Sequence, residues 1–568
     1  MKNFFLIFTL IIPFVSLSAG NTLTVSSVAD NGAGSLRQTI TDAAGGDQIL
    51  IPSGYVIELE SEIVFSKSLS INGQDASIRV KSASVDAVTH RIFNIGGYGS
   101  EPGNFTIVLE NLNLTGGNVT GLQGNDKMDG NGGAIYVHVN GTVDFTMRHC
   151  TASAKATAGG VFISPVANGV KVTLEDCIFN NSLTTSRGSA AYIKAANGIT
   201  IRNCVFENNE SKGASAVVVF NPATVSDCYF KNNRCTSQGR GSTTFAVDKD
   251  TQGQITLDNC TFYKNTALYD AHGDGGAALS AQSPNAKVVM TNCTVYGNRG
   301  SRGAVYNYQG KIDIIHCTFA ANVSANTDDT ASDQANSHYG GAFANAIDYN
   351  NIDLKSTCVL VNNIFAYNYN RNEVSDVYVS TQSNREGTNN IIVRAVGGVQ
   401  AITPLENRIS FDTEFDALFA EYTINEENHQ IPVYDEVSQT VALSSDSRAI
   451  GNGTSSYKGL AIPSVDQRGV MRGAHPCLGS REYVAGDGNK TFQSNDNPRI
   501  LQNPAEGQLQ IGNSEKALRL EILDLAGKIR LSENQPGASV SLKNLNAGIY
   551  LLRFQTPDGT SIEKLIIK

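Results

Sequence analysis

DCIFNN (176–181), NCVFENN (203–209), DCYFKNN (227–233), NCTFYKN (259–265), NCTVYGN (292–298) and HCTFAAN (316–322) are six versions of one phrase. Their cysteines, Cys177, Cys204, Cys228, Cys260, Cys293 and Cys317, are separated by 27, 24, 32, 33 and 24 residues. A weaker copy, HCTASA, precedes them at 149–154, and NNIFAYN at 362–368 repeats the phrase without the cysteine. Recurrence at roughly 20–50 residues marks stacked units that bury their apolar sides against one another, not a globular core.

Each position of the phrase has a physical reading. The residue before the cysteine is Asp176, Asn203, Asp227, Asn259, Asn292 or His316. These residue types tolerate positive φ better than other non-glycine residues, so a tight bend is expected there. The cysteine and the aromatic two places on (Phe179, Phe206, Phe230, Phe262, Phe319) share one face of a strand, the inner one. The residues between and after them are read as polar, with Asn209, Asn233, Asn265, Asn298 and Asn322 closing the strand in a second turn.

Between the phrases lies a small-residue pair followed by an apolar run, as in GGAIYV at Gly132, GGVFI at Gly159, GAALSA at Gly276 and GGAFAN at Gly340. Small residues permit close backbone approach, and the run that follows is strand-like. Each period thus holds two or three short strands that stack in parallel on the equivalent strand of the next. The fold class is all-β: a right-handed parallel β-helix over 51–400, with an internal cysteine ladder and a phenylalanine ladder. At about 25–30 residues per coil and ~4.8 Å per rung, it has on the order of a dozen rungs and a length of roughly 60 Å.

The ends differ from the rod. Residues 1–20 carry Lys2, an apolar stretch and then small residues, the pattern of a secretory signal peptide. Within 21–50, Ser35 is a helix N-cap, and Leu36, Ile40 and Ala43 share one helical face that caps the open rung. The repeat fades over 401–485, which is expected to form the last irregular rungs and the C-terminal cap. Residues 486–500 read as a polar linker. Strand-like runs separated by AGK, NAG and PDG turns make 501–568 a small β-sandwich.

The formal charge of −10 and the lack of basic clusters argue against nucleic acid and anionic membranes as partners. No segment after the leader is long and apolar enough to span a bilayer. An exported chain with ten cysteines ordinarily suggests disulfides, but rung-to-rung spacing exceeds the Cβ separation a disulfide prefers. The ladder cysteines therefore read as buried free thiols, and Cys235 and Cys477 have no evident partner. There is no tryptophan, so any sugar-stacking platform falls to the twenty tyrosines.

Three resemblances cover almost the whole chain. The GGAIYV, FENN, FKNN and FAAN phrases resemble the repeats of polymorphic outer-membrane proteins, β-helical surface adhesins; their C-terminal membrane barrel has no counterpart here. NGAGSLRQTITDA, SLSING, SRAIGNG and DQRGVMRGAHPCLGSREY look like secreted bacterial β-helix proteins of the choice-of-anchor kind, with the pectin-lyase-like fold. The C-terminal segment resembles the type A sorting domain of the type IX secretion system of Bacteroidota. Asn503 and Pro504, Asp524, Gly527 and Lys528 in LEILDLAGK, Gly548, Ile549 and Tyr550 in LNAGIYLLRF, and the terminal Lys568 carry that match. The resemblance implies handling by the type IX machinery, passage across the outer membrane, and a rod left at the cell surface or released once the tail is removed.

β-Helices include polysaccharide lyases and hydrolases, whose chemistry needs carboxylates that bind calcium plus a basic side chain, or paired carboxylates. The hydrolase phrases are not present. The best candidates are Asp126 and Asp129 in GNDKMDGNGG, Asp270, His272 and Asp274 in YDAHGDGG, and Asp329, Asp333 and His338 before Gly340. Loops at equivalent places in successive coils line one edge of a rod, where a calcium or saccharide site would sit. Asp, Asn and Gly are equally good turn formers, so solvated loops are the plainer reading. Arg240, Lys264 and Arg302 are basic side chains that no spacing singles out. No catalytic residue and no metal ligand is assigned, and calcium is the one cofactor the loops admit. The expected function is adhesin-like binding to a polysaccharide, matrix or host protein surface, with a calcium-dependent polysaccharide lyase and a passive spacer as the alternatives.

Overall fold

The computed structural model describes residues 20–567 apart from 83–86, 98–101, 123–129, 165–168, 196, 214, 237–242, 268–274, 325–339, 347–354, 372, 398–417, 485–497, 501–504, 525–528 and 557–558. Its backbone is a parallel β-helix, with the right-handed crossover that parallel strands of one sheet strongly prefer. Each coil has three parts. A front strand such as Ile199–Arg202 bends at Asn203 into a flank strand, Val205–Glu207, which bends at Asn208 into the pair Glu210–Ser211. The chain then crosses to a back strand such as Val217–Val219. Among the described residues twelve back strands, from Ile63–Phe65 to Ala395–Gly397, form one sheet. The small-residue markers precede them because backbones meet there: a Cβ on Gly341 would stand 2.4 Å from the carbonyl oxygen of Tyr369.

The first bend follows the sequence reading. His149, Asp176, Asn203, Asp227, Asn259, Asn292 and His316 all have φ between 50° and 56°, and Asn362 in the cysteine-free phrase has φ 60°. Cysteine and aromatic then point inward. Phe179, Phe206, Phe230 and Phe262 stack ring on ring at centroid distances of 5.0, 4.9 and 4.6 Å. All ten cysteines are free and buried. The thiols from Cys150 to Cys317 on the ladder donate to the carbonyl two residues back, as Cys204 does to Arg202 O at 3.3 Å. Off the ladder, Cys235 donates to Gly213 O at 3.0 Å.

The second turn departs from the expectation. Its left-handed residues are Asn181, Asn208, Asn232, Lys264, Gly297, Ala321 and Tyr367, one place before the asparagines assigned to it. Asn209, Asn233, Asn265, Asn298 and Asn322 are instead buried in a hydrogen-bonded ladder. Each gives its side-chain amide to the next rung's Oδ1, at 3.0, 3.0, 2.9, 3.0 and 2.8 Å, the last reaching Asn368. A second amide line begins where the cysteines stop: Asn363 replaces the cysteine, accepts 2.8 Å from Cys317 N, and donates to Asn390. A turn asparagine and a buried one are alike in sequence, and only the left-handed residue beside them tells them apart.

At the N-terminal end the helix Leu36–Asp42 is capped by Ser35, whose Oγ accepts from Gln38 N at 3.2 Å. Leu36, Ile40 and Ala43 join the apolar core of the rod. A cavity of about 440 Å³ lies beneath, beside Ile63 and Phe65, but its cations are engaged in the cap. Arg37 bonds Asp30 and the carbonyls of Ser61 and Glu62, and Lys67 bonds those of Thr41 and Ala43.

Residues 398–417 lie outside the described residues, and 418–483 run back along the flank of the rod. Leu418, Phe419, Tyr434, Val441, Leu443, Cys477 and Leu478 bury the outward flank residues Tyr229, Tyr263, Tyr296, Ile364 and Ile391. The residue between cysteine and aromatic, read above as polar, is buried in most coils, as at Ile178, Val205, Tyr229 and Ile364. The DQRGVMRG motif pins this strap: Gln467 bonds Thr261 and Thr294, and Arg472 bonds Asn292.

At the C-terminus two antiparallel sheets face each other. One contains Arg499–Ile500, Gln508–Gly512 and Ser539–Ser541; the other runs in the order Ile529–Asn534, Arg519–Leu523, Gly548–Thr556, Gly559–Ile567. Leu509, Ile511 and Val540 meet Leu520, Ile522, Leu552 and Phe554 between them.

Candidate binding face

Faces of the rod differ in what covers them. Among the described residues the strap covers the later part of the flank and reaches the front at the last rungs, where Tyr457, Leu460 and Ile462 pack on Ile315, Val359 and Val361. Earlier front strands lie open to solvent. There Thr146, Thr173, Thr200, Thr224 and Thr256 are in direct register across five consecutive rungs. Thr200 and Thr224 are exposed and the other three half-buried. At ~4.8 Å per step the row is about 19 Å long.

A second row runs beside it, in the register Glu110, Arg148, Glu175, Arg202, Ser226, Asp258. Its charges alternate and pair: Arg148 lies 3.7 Å from Glu110, and Arg202 binds Glu175. On the other side of the threonines Lys171 lies 3.6 Å from Asp144. Burial raises the Asp258 carboxyl above its usual range, and the Thr291 hydroxyl donates to it. The face is flat and polar, with its charges neutralised in pairs. It can offer an ordered array of hydroxyls and paired charges, without a convergent acid and base.

The candidate loop residues Asp126, Asp129, Asp270, His272, Asp274, Asp329, Asp333 and His338 lie outside the described residues, as does Arg240. Among the described residues no three His, Cys, Asp or Glu side chains converge as metal ligands would. Lys264 lies over the ring of Tyr263 at 5.0 Å and Arg302 over that of Tyr306 at 5.4 Å. The back sheet carries an outward aromatic row, Tyr136, Phe162, Tyr192 and Phe220, with centroids 5.6, 4.6 and 5.0 Å apart. These rings cover one another's faces, and Arg91 caps Tyr136 at 4.7 Å, so little ring face is left for a sugar. Sequence reasoning passed over the threonine row, whose signal is a threonine followed by an apolar residue, four places ahead of Cys150, Cys177, Cys204, Cys228 and Cys260.

Of the sorting residues, Asn503, Pro504, Gly527, Lys528 and Lys568 lie outside the described residues. Asp524 pairs with Arg530 at 2.8 Å. Gly548 and Ile549 begin a central strand of the four-stranded sheet, and the Tyr550 hydroxyl donates 3.0 Å to Asn546 O.

Residues 112–319 match the family model described as a right handed beta helix region, and residues 500–568 match the secretion system C-terminal sorting domain. No curated protein matches the chain. Among solved structures, the crystal structure of pectate lyase Pel9A aligns at 13% identity over 82% of this chain and 98% of that one, with a TM-score of 0.34. The chain is thus a right-handed β-helix protein bearing a type IX sorting domain, which directs it to secretion and display at the cell surface. Among the described residues no helix is long and apolar enough to cross a membrane.

Proposed function

We propose that this is an adhesin-like binding protein whose front face, centred on Thr146, Thr173, Thr200, Thr224 and Thr256, lies against a polysaccharide of a matrix or cell wall. The observation that carries the reading is the row itself: five hydroxyls in register on an open face, beside a flank whose outward residues are buried. Threonine hydroxyls donate and accept, and β-branched side chains hold them in few rotamers, so little entropy is lost on contact. Paired charges on either side leave no strong field, which suits a neutral, hydroxyl-rich chain better than a polyanion.

The test is binding of the purified protein to a panel of insoluble and soluble polysaccharides, with and without calcium, alongside a Thr200→Lys/Thr224→Lys variant. Loss of binding in the variant with unchanged melting supports the reading. Calcium-dependent release of unsaturated uronate products would instead make the protein a lyase working through the loops at 268–274. Binding to no polysaccharide would overturn the reading in favour of a protein partner or a passive spacer.

A further inference from the structure

The end of the last strand of the sorting domain, Leu565–Ile567, is buried on both sides. Leu565 and Ile567 point into the sandwich core, as alternate residues of a strand do. Ile566 points the other way and is still only 2% exposed, because it joins the apolar cluster along the flank of the rod that contains Ile178 and Val205. Ala547 packs against the same cluster.

Polar contacts fix the position. The Asn546 side-chain amide donates to Oδ1 of Asn111, which occupies the left-handed bend at φ 54°. Gly548 lies against Asp176, where an added Cβ would stand 3.6 Å from the aspartate Cβ. Burial pushes the Tyr550 phenol up to about 12, and the charges of Asp176 and Asp75 act on it from the rod. Among the described residues the hydrogen bonds of the strap to the flank strands begin further along the rod, at Thr261 and Tyr263. One apolar stripe is thus shared by two covers, the strap over the later coils and the sorting domain over the earlier ones.

We infer that the flank around Asn111, Asp176, Ile178 and Val205 is a docking site for the chain's own sorting domain, which is stowed on the rod with the outer side of its terminal strand masked at Ile566. The inference rests on reading 500–568 as a sorting domain. Undocking then precedes any recognition of that outer side by the export machinery. Removal of the tail bares Ile178 and Val205, an apolar surface that the full chain does not present.

The experiment uses the full chain with spin labels on Lys171→Cys and Lys543→Cys, both exposed, against a background of native thiols that are all buried. A docked tail gives one narrow interspin distance. Ile566→Glu places a charge in the apolar contact, and Asn546→Asp sets a carboxylate against Asn111 Oδ1 while leaving the sandwich core alone; each is expected to abolish the narrow distance. A broad distribution in the parent protein overturns the inference, and so does a narrow distance that neither variant disturbs. Failure of the sorting reading is a separate result: export would persist after deletion of 500–568, whatever the interspin distance.

Discussion

Asn233 donates both its backbone N–H, at 2.9 Å, and its side-chain amide, at 3.0 Å, to the single Oδ1 of Asn265. The same double donation runs from Asn209 to Asn368, so each asparagine accepts from the coil before it and donates to the coil after it. Amides aligned head to tail polarise one another, and burial removes competing water. The line ends at Asp376, whose Oδ1 accepts from Asn368 N and Nδ2 at 3.1 and 2.8 Å and whose Oδ2 accepts from Arg394 N at 2.9 Å.

Replacing Asn265 by alanine leaves the Asn233 backbone N–H and one of the two hydrogens of its side-chain amide without an acceptor inside the rod, and takes one donor from the carbonyl of Phe230. Each orphaned buried group costs about 1–3 kcal/mol, so the denaturation midpoint is expected to fall sharply. Lys264→Gly is the control one residue away. Lys264 sits at φ 51°, where a non-glycine residue is disfavoured by about 1–2 kcal/mol, so glycine there is expected to be neutral or mildly stabilising. Equal losses from the two substitutions would mean that the bend, not the ladder, carries the stability.

Asp376 gives the ladder a pH dependence. Burial pushes its carboxyl up to about 7 from 3.8, partly opposed by the hydrogen bonds from Arg394 and Asn368. The native state therefore holds a proton that the unfolded chain has released. This contribution to stability is fully present below pH 3.8 and is lost as pH rises through 7. Asp376→Asn removes the slope contributed by this group, but sets an NH₂ or a carbonyl oxygen where two different N–H donors need acceptors, so it is expected to be less stable at every pH. Urea titrations at intervals between pH 4 and 8 decide it; parallel curves for the two proteins would exclude Asp376 as the titrating group.

The first bend and the inward ladders were legible because both leave a mark in composition: Asn, Asp or His before the cysteine, and an aromatic two residues after it. The second bend leaves none, since Lys264, Ala321 and Tyr367 hold the same left-handed conformation as Asn208. The strap was illegible for another reason. It has no period, and its partners Tyr263 and Tyr296 look like exposed strand residues until Tyr434 is seen stacked on them at 4.4 and 5.0 Å. The threonine face is hidden for the converse reason: threonine is an ordinary strand residue, and only the rung register turns five of them into one row.

The thiols are expected to be inert. Burial pushes those of Cys150, Cys204, Cys260 and Cys293 above their ordinary range, and the thiolate is the reactive form. In the folded protein a thiol reagent should label none of the ten cysteines on the timescale on which it labels all ten in denaturant. Cys204→Asp buries a carboxylate against two apolar rungs at a cost of several kcal/mol, and should prevent folding. Cys204→Ala, a small apolar replacement, should be tolerated. Rapid labelling of a ladder cysteine in native buffer would show that the coils open locally.

Arg472 is the clasp of the strap. It is buried, binds Glu482, and donates to Asn292 Oδ1 at 2.9 Å, Gly479 O at 3.0 Å, Cys477 O at 3.3 Å and Val465 O at 3.2 Å. Arg472→Met strands the Glu482 carboxylate, and breaking a buried pair from one side costs about 3–5 kcal/mol. The loss should be local, because the rod beneath is held by its own ladders. Limited proteolysis is expected to cut within 418–483, and a hydrophobic dye should bind the bared Tyr263 and Tyr296, while amide exchange along the asparagine ladder stays unchanged. Arg472→Met/Glu482→Gln removes both charges together and should recover part of the loss. If the single variant resists protease as the parent does, the strap is held by its tyrosine contacts, and the clasp contributes little.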